Sequence, residues 1–171
     1  MAKAKKVKRD DKATIRKLES MVDTVVGLAK KKKDPFVDVP LRTLSNVSYN
    51  AKKQIIEMGS NAARRNFFDM NRAKSFMQTM LVASGCKQLI GEGKTASIRQ
   101  VYYLLKHTIA GTSEKTFDDQ GESDPILEDL EVTLGSLREE LHVYASNRGN
   151  LVGPITLVDD GNTLDCMKMG S

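Results

Sequence analysis

The chain is poor in the residues that build metal and redox sites. Its 171 residues include two cysteines, Cys86 and Cys166, and two histidines, His107 and His142. The cysteines cannot form a CxxC pair. With so few imidazoles, a zinc or similar site on side-chain N and S donors is not expected. The thiols fit a reducing cytosol, where they serve as small apolar residues. There is no apolar run of about 18 residues, so no transmembrane helix is expected. The opening "MAKAKKVKRDDK" is basic, with no apolar segment behind it, unlike a secretory signal. A phosphate-cradling glycine loop is also missing. "GEGKTAS" resembles the end of one, but Gln88 stands where the first glycine of G-x-x-x-x-G-K-[ST] is required. The acidic stretch around Asp118, Asp119, Glu122 and Asp124 lacks the alternating ligand spacing and closing glutamate of a calcium loop. No internal repeat is present.

What the chain does have is charge, unevenly placed. The net charge is +5. Residues 1–33 carry 12 Lys/Arg against 4 Asp/Glu, residues 34–110 carry 11 against 5, and residues 111–171 carry 4 against 13. A basic first two-thirds suits an anionic partner such as nucleic acid. A solvated basic surface without a partner would look the same.

The apolar pattern suggests an α+β fold. Residues 1–12 read as a basic tail. Ile15, Leu18, Val22, Val25 and Ala29 recur at helical spacing before "KKKKD" and Pro35 stop the helix. Such a stripe can pack on the chain's own core or dock a partner as an arm. "LSNVSYN" and "QIIEM" read as a hairpin around Asn50-Ala51-Lys52, and "SNAARRNFF" as a loop with a basic pair, Arg64 and Arg65. A helix is expected from about Asn71, with Ala73, Phe76, Met77, Met80, Leu81 and Ser84 on one core face and Gly85, Gly91 and Gly93 at its end. Pro125 reads as a first helical residue capped by Asp124, and Gly135 as the break after Leu134. "SLREELHVYA" then reads as a second helix, making a helix-turn-helix. "LVGPITLVDDGNTLDC" follows as strand, "DDGN" turn, strand, with Asp159 and Asp160 as turn formers and not ligands. A helix-turn-helix followed by a β-hairpin has the sequence form of a winged helix.

The most informative stretch is "KTASIRQVYYLLKH", Lys94 to His107. Ser97 and Gln100 form an S-x-x-Q capping box, so a helix starts there. Ile98, Val101, Tyr102, Leu105 and Ile109 make the buried stripe. Arg99, Tyr103, Lys106 and His107 fall on the opposite face. Of two adjacent tyrosines, Tyr102 is therefore core and Tyr103 is an exposed phenol among cations. A phenol with a pKa near 10 is a weak nucleophile; nearby cations favour the phenolate, hold a phosphate and offset charge growing on it. An exposed tyrosine whose cations merely face water fits the same spacing.

"TASIRQVYYLLKH", "AKSFMQTMLVAS", "DPILEDLEVTLGSLREELHVYA" and "LVGPITLVDDGNTLDC", in this order over about residues 40–171, resemble the N-terminal half of the topoisomerase VI A subunit, which belongs to the type IIB DNA topoisomerases. The meiotic double-strand-break transesterase is similar at R-x-x-Y-Y, residues 99–103. The resemblance implies a catabolite-activator-like winged-helix domain carrying a catalytic tyrosine. The motif's second tyrosine corresponds to Tyr103 and its arginine to Arg99. DNA contacts are then expected from Lys94, Lys106, His107, Arg138 and Arg148. The family's A subunit continues into a Toprim domain that binds Mg²⁺; "CMKMGS" stands about where the linker to it would begin. The nucleophile is therefore expected here without a metal site. ATP is expected to act only through a B subunit. The other expected partners are duplex DNA and a second A subunit. Residues 1–34 are read as tail and helical arm, 35–70 as an extended segment with a hairpin, and 71–171 as the winged-helix domain. The expected location is the cytoplasm, with the nucleoid. A winged-helix DNA-binding protein without cleavage is the alternative, and an interaction module docking through the arm a third reading.

Overall fold

The computed structural model describes residues 10–52, 54–145, 153–154, 156–159, 162–165 and 167. Helix α1 (Asp11–Lys30) is capped by the Asp10 carboxylate, which accepts from Ala13 N at 3.0 Å. Strand β1 (Phe36–Pro40) pairs antiparallel with β4 (Ala62–Asn66). Between them, β2 (Val47–Asn50) and β3 (Ile55–Met58) form a separate antiparallel hairpin. Helix α2 (Ala73–Gly91) leads to the short β5 (Ala96–Ser97) and α3 (Ile98–Leu105). Helix α4 (Gln120–Leu134), a 3₁₀ turn at Arg138–Leu141 and β6 (Val143–Tyr144) follow; β6 runs parallel to β5. β7 (Thr156–Asp159) and β8 (Asn162–Asp165) close the chain as an antiparallel hairpin. The result is an α+β fold with several small two-stranded pairs. Among the described residues, no helix is long and apolar enough to cross a membrane.

One core holds the helices together. Leu18 of α1, Val82 and Cys86 of α2, Val101 and Tyr102 of α3, and Leu127 and Leu130 of α4 meet in it, with Phe117, Leu141 and Val143. Leu18 is buried, which contributes roughly 1.5–3 kcal/mol. Helix α1 is thus seated on this chain's own core and does not stand off as an arm. Its core-facing residues include Ile15, Leu18, Met21 and Val25, whereas Val22 is exposed. A smaller cluster joins Val37 and Val39 of β1 to Phe76 of α2. Burial in this core pushes the Cys86 thiol up to about 12, so it is chemically inert.

Several expected elements are placed differently, each for a physical reason. Residues 62–66, read as a loop, form β4, because Asp38 on β1 offers Arg64 a bidentate partner (2.8 and 3.0 Å) and Asp129 takes Arg65. Helix α2 runs through Gly85 to Gly91 and buries Gln78, Thr79, Val82, Ala83 and Cys86, while Ser84 is exposed. The polar residues are tolerated inside because they find partners. Thr79 donates to Ser75 O at 2.7 Å and accepts from Arg65, and Gln78 donates to Thr116 O at 2.9 Å. Gly85 lets α3 approach; a Cβ there would lie 3.0 Å from Leu105 Cδ2.

The helix-turn-helix expected at Pro125–Ala145 is absent. Asp119, not Asp124, caps α4, its side chain accepting from Glu122 N at 3.2 Å, and Pro125 lies inside the helix. Gly135 ends α4 in the left-handed region at φ 54°, as expected of a glycine break. The second helix shrinks to the 3₁₀ turn because His142 is pulled into long-range contacts. Its ring nitrogens reach Lys94 O at 2.8 Å and Asp11 Oδ1 at 3.1 Å, and its carbonyl accepts from Ala96 N at 3.0 Å. Those contacts close the parallel β5–β6 pair, which a continuous helix would forbid. The β7–β8 hairpin lies in the stretch expected, its strands shorter than that stretch and Asp159 and Asn162 paired as their end residues. The β2–β3 hairpin is also where it was expected, and Val47, Tyr49, Ile56 and Met58 on one of its faces are all exposed.

Candidate active site

The site is built on α3 and the strand before it. The Ser97 hydroxyl accepts from Gln100 N (3.2 Å), and the Gln100 side chain accepts from Ser97 N (2.6 Å), so the capping box starts the helix. The other end is held by Thr116, whose hydroxyl donates to Leu105 O at 2.8 Å and accepts from His107 N at 3.0 Å. Between these ends Val101 and Tyr102 point into the core, and Ile98 and Leu105 are half-buried beside it. Ile109 lies beyond the helix end.

Tyr103 is on the open side, 58% exposed. Arg99 donates from Nη2 to Tyr103 Oη at 3.4 Å, with its guanidinium 5.8 Å from the ring centroid. Arg99's hydrogen bond and charge hold the Tyr103 phenol below its ordinary value, and the Lys106 charge adds to this. The phenol opens on a cleft of about 800 Å³ lined by Thr95, Ser97, Arg99, Gln100, Gln120 and Tyr144. A cation on the phenol oxygen beside a cleft of this size can hold a phosphate and stabilise a phenolate.

The other cations are placed less uniformly. Lys106 is half-buried and held in place: its ammonium donates to the Tyr102 hydroxyl and to Asp118 O, the latter at 3.1 Å. The Tyr102 hydroxyl itself donates to Asp118 O at 3.2 Å. His107 is exposed, its Nδ1 3.0 Å from Leu105 O. Lys94 forms an ion pair with Glu92 at 2.7 Å. Arg138 pairs with Glu131 and, at 3.9 Å, with Glu128. Arg148 lies outside the described residues. Arg99 on α3 and Lys106 at its end form no ion pair among the described residues. Asp118, whose backbone oxygen accepts from Lys106, gives its carboxylate to Lys74 at 2.7 Å. Sequence reading did not single out Tyr102 as a polar contact or Asp118 as its acceptor. Apolar spacing marks Tyr102 as core and carries no sign of where its hydroxyl goes.

A family model described as Type IIB DNA topoisomerase matches residues 74–143, which take in α3, α4 and all of α2 but its first residue. The chain is 43% identical to the A subunit of Type 2 DNA topoisomerase 6 from Pyrococcus horikoshii, over 95% of its own length and 42% of the relative's. It is 42% identical to the Pyrococcus abyssi protein of the same name, with the same coverage. The Saccharolobus shibatae protein is 34% identical over 96% of this chain and 46% of the relative. The chain thus spans less than half the length of these relatives. By these matches the chain belongs to the type IIB DNA topoisomerase family, as a homologue of topoisomerase VI A subunits.

Proposed function

We propose that this chain is the catalytic-tyrosine module of a type IIB DNA topoisomerase and that Tyr103 is its nucleophile. The observation that carries the reading is the Arg99–Tyr103 pair, exposed at the mouth of the cleft. The phenol gives its proton to solvent, Oη attacks a backbone phosphorus, and the P–O3′ bond breaks. The 3′ oxygen takes up a proton, and the 5′ end stays on the protein as a phosphotyrosine. One phosphoester replaces another, so the 3′ hydroxyl can reverse the step. Arg99 holds the phosphate and offsets the charge that grows on it.

Mg²⁺ is implied by the family. Among the described residues no cluster of His, Cys, Asp or Glu could hold a metal ion, so these residues do not fit it. In this reading the ion belongs to a Toprim domain and ATP to a B subunit, with a second A subunit completing a double-strand break. The working location is the nucleoid. The winged-helix reading rests on α2, α3 and α4 together with the β7–β8 hairpin, in place of the helix pair expected after Pro125.

Arg99→Ala is expected to slow adduct formation roughly 10²- to 10³-fold in an assembly supplied with Toprim and B subunits. Its melting temperature should stay within about 1 °C of the parent, since loss of an exposed side chain leaves no cavity. A rate within about threefold of the parent would remove Arg99 from the site. The chain alone should bind duplex DNA with an affinity that falls steeply with salt, because residues 1–110 carry 23 Lys/Arg against 9 Asp/Glu. With Mg²⁺ and supercoiled DNA it should form no covalent adduct. The direct test of the function is mass spectrometry of the assembled complex after cleavage. A DNA adduct on a residue other than Tyr103 sinks the assignment; DNA binding with no adduct favours the non-cleaving alternative.

A further inference from the structure

We propose that Tyr102 is a positioning residue: its hydroxyl, with the Asp118 carbonyl, holds the Lys106 ammonium as a second phosphate-binding cation of the Tyr103 site, one helical turn beyond Tyr103 and opposite in direction to Arg99. The inference rests on the reading of Tyr103 as nucleophile and gives a role to the second tyrosine of the pair.

Three observations carry it. First, the Lys106 ammonium rests on two neutral oxygens, the Tyr102 hydroxyl and Asp118 O. A surface lysine with only a structural task commonly finds a carboxylate, as Lys74 does with Asp118 and Glu122, and Lys94 with Glu92. Among the described residues no carboxylate forms an ion pair with Lys106; the Asp118 charge acts on it only through space, and the ammonium can meet an anion. Second, the holder is rigid. Tyr102 is 7% exposed, its ring packed in the main core, so its hydroxyl cannot follow the lysine as a mobile side chain would. Two fixed acceptors reduce the rotamer freedom that a lysine otherwise loses on binding a phosphate. Third, Asp118 cannot neutralise Lys106 through its carboxylate without leaving Lys74. The arrangement therefore offers the cation to the outside while fixing where it stands. Its charge already acts on Tyr103, lowering the phenol's pKa alongside Arg99. A phosphate at Tyr103 would meet Arg99 from the preceding turn and Lys106 from the following one. Both charges would then act on the phosphorus centre as it gains charge.

The test uses the 171-residue chain and the complete assembly side by side. In the chain, Lys106→Met should lower the slope of log affinity against log salt on a short duplex by about one, and Lys106→Arg should restore it. Melting temperatures show that the variants stay folded. In the assembly, Lys106→Met should slow adduct formation roughly tenfold or more, and Tyr102→Phe roughly three- to tenfold through loss of placement. The double variant should be no slower than Lys106→Met alone, because Tyr102 acts only through Lys106. An unchanged salt slope in Lys106→Met, an absence of duplex binding by the parent chain, or effects of the two substitutions that multiply would each overturn the inference. If the parent assembly forms no adduct on Tyr103, the nucleophile reading fails, and the salt slope still decides whether Lys106 meets a phosphate.

Discussion

Tyr103→Phe is expected to abolish covalent attachment to DNA in an assembly complete with Toprim and B subunits, whereas Tyr102→Phe should keep adduct formation within about tenfold of the parent. The expectation follows from the geometry of α3. Tyr103 is exposed with its oxygen on Arg99, while the Tyr102 hydroxyl is turned to Asp118 and Lys106 at the edge of the core. In the proposed mechanism, removing the Tyr103 oxygen deletes the atom that forms the new phosphoester bond. Nothing packs through that oxygen, so melting temperature and duplex affinity should stay near the parent's. On the same reading, removing the Tyr102 oxygen leaves the nucleophile in place and costs the placement of Lys106 and the bond to Asp118 O. The measurement is adduct yield against time, with thermal unfolding of each variant as the control. Adducts in the Tyr103 variant and none in the Tyr102 variant would reverse the two roles.

The second large effect concerns stability. Asp129→Ala is expected to destabilise the chain by about 3 kcal/mol, at the low end for breaking a buried ion pair. For a protein of this size that corresponds to a fall in melting temperature of roughly 6–12 °C. Asp129 lies on α4 and is 8% exposed. Its Oδ1 accepts from Arg42 Nε at 2.8 Å and its Oδ2 from Arg65. Arg65 also donates to Thr79 at 2.8 Å, so one carboxylate ties the β1–β4 pair and the segment after β1 to α2 and α4. The larger cost is at Arg65, whose side chain is 16% exposed and would be left without its anion. Arg42 is more open to water and keeps Glu128, so it contributes less. Replacing the inner pair together, Asp129→Leu with Arg65→Met, should recover a large part of the loss, because neither buried charge is then orphaned. Thermal unfolding of the three proteins checks this. A change below about 2 °C for Asp129→Ala would show that the sheet is held by its apolar contacts through Val37, Val39 and Phe76 alone.

The tyrosine helix was largely legible in the sequence because it is governed by local rules. A capping box and a 3.6-residue apolar period need no distant partner, and both are present at Ser97–Leu105. They bury Tyr102, expose Tyr103 and place Arg99 one turn from it. The β2–β3 and β7–β8 hairpins were legible for the same reason, since short turns between apolar strands decide their own register. The helix-turn-helix was not. "SLREELHVYA" has helical spacing, yet His142 is drawn to Lys94, Asp11 and Ala96, and a parallel strand pair forms in place of a helix. Strand β4 was missed because Arg64 and Arg65 look like loop residues until Asp38 and Asp129 are brought to them. Phe117, fully buried, was hidden in a stretch of polar residues.

The sequence by itself determined the elements whose signals are local: the capped α3 with its two-faced tyrosine pair, the two hairpins, and the family, through motifs that match over most of the chain. Tertiary structure alone decided where the charges go. Lysines and arginines are alike in sequence, but folding brings carboxylates to Lys74 and Arg138 and, among the described residues, leaves Arg99 and Lys106 without an ion pair. Ion pairs among distant residues depend on which side chains packing brings within a few ångströms, and no periodicity along the chain encodes that distance.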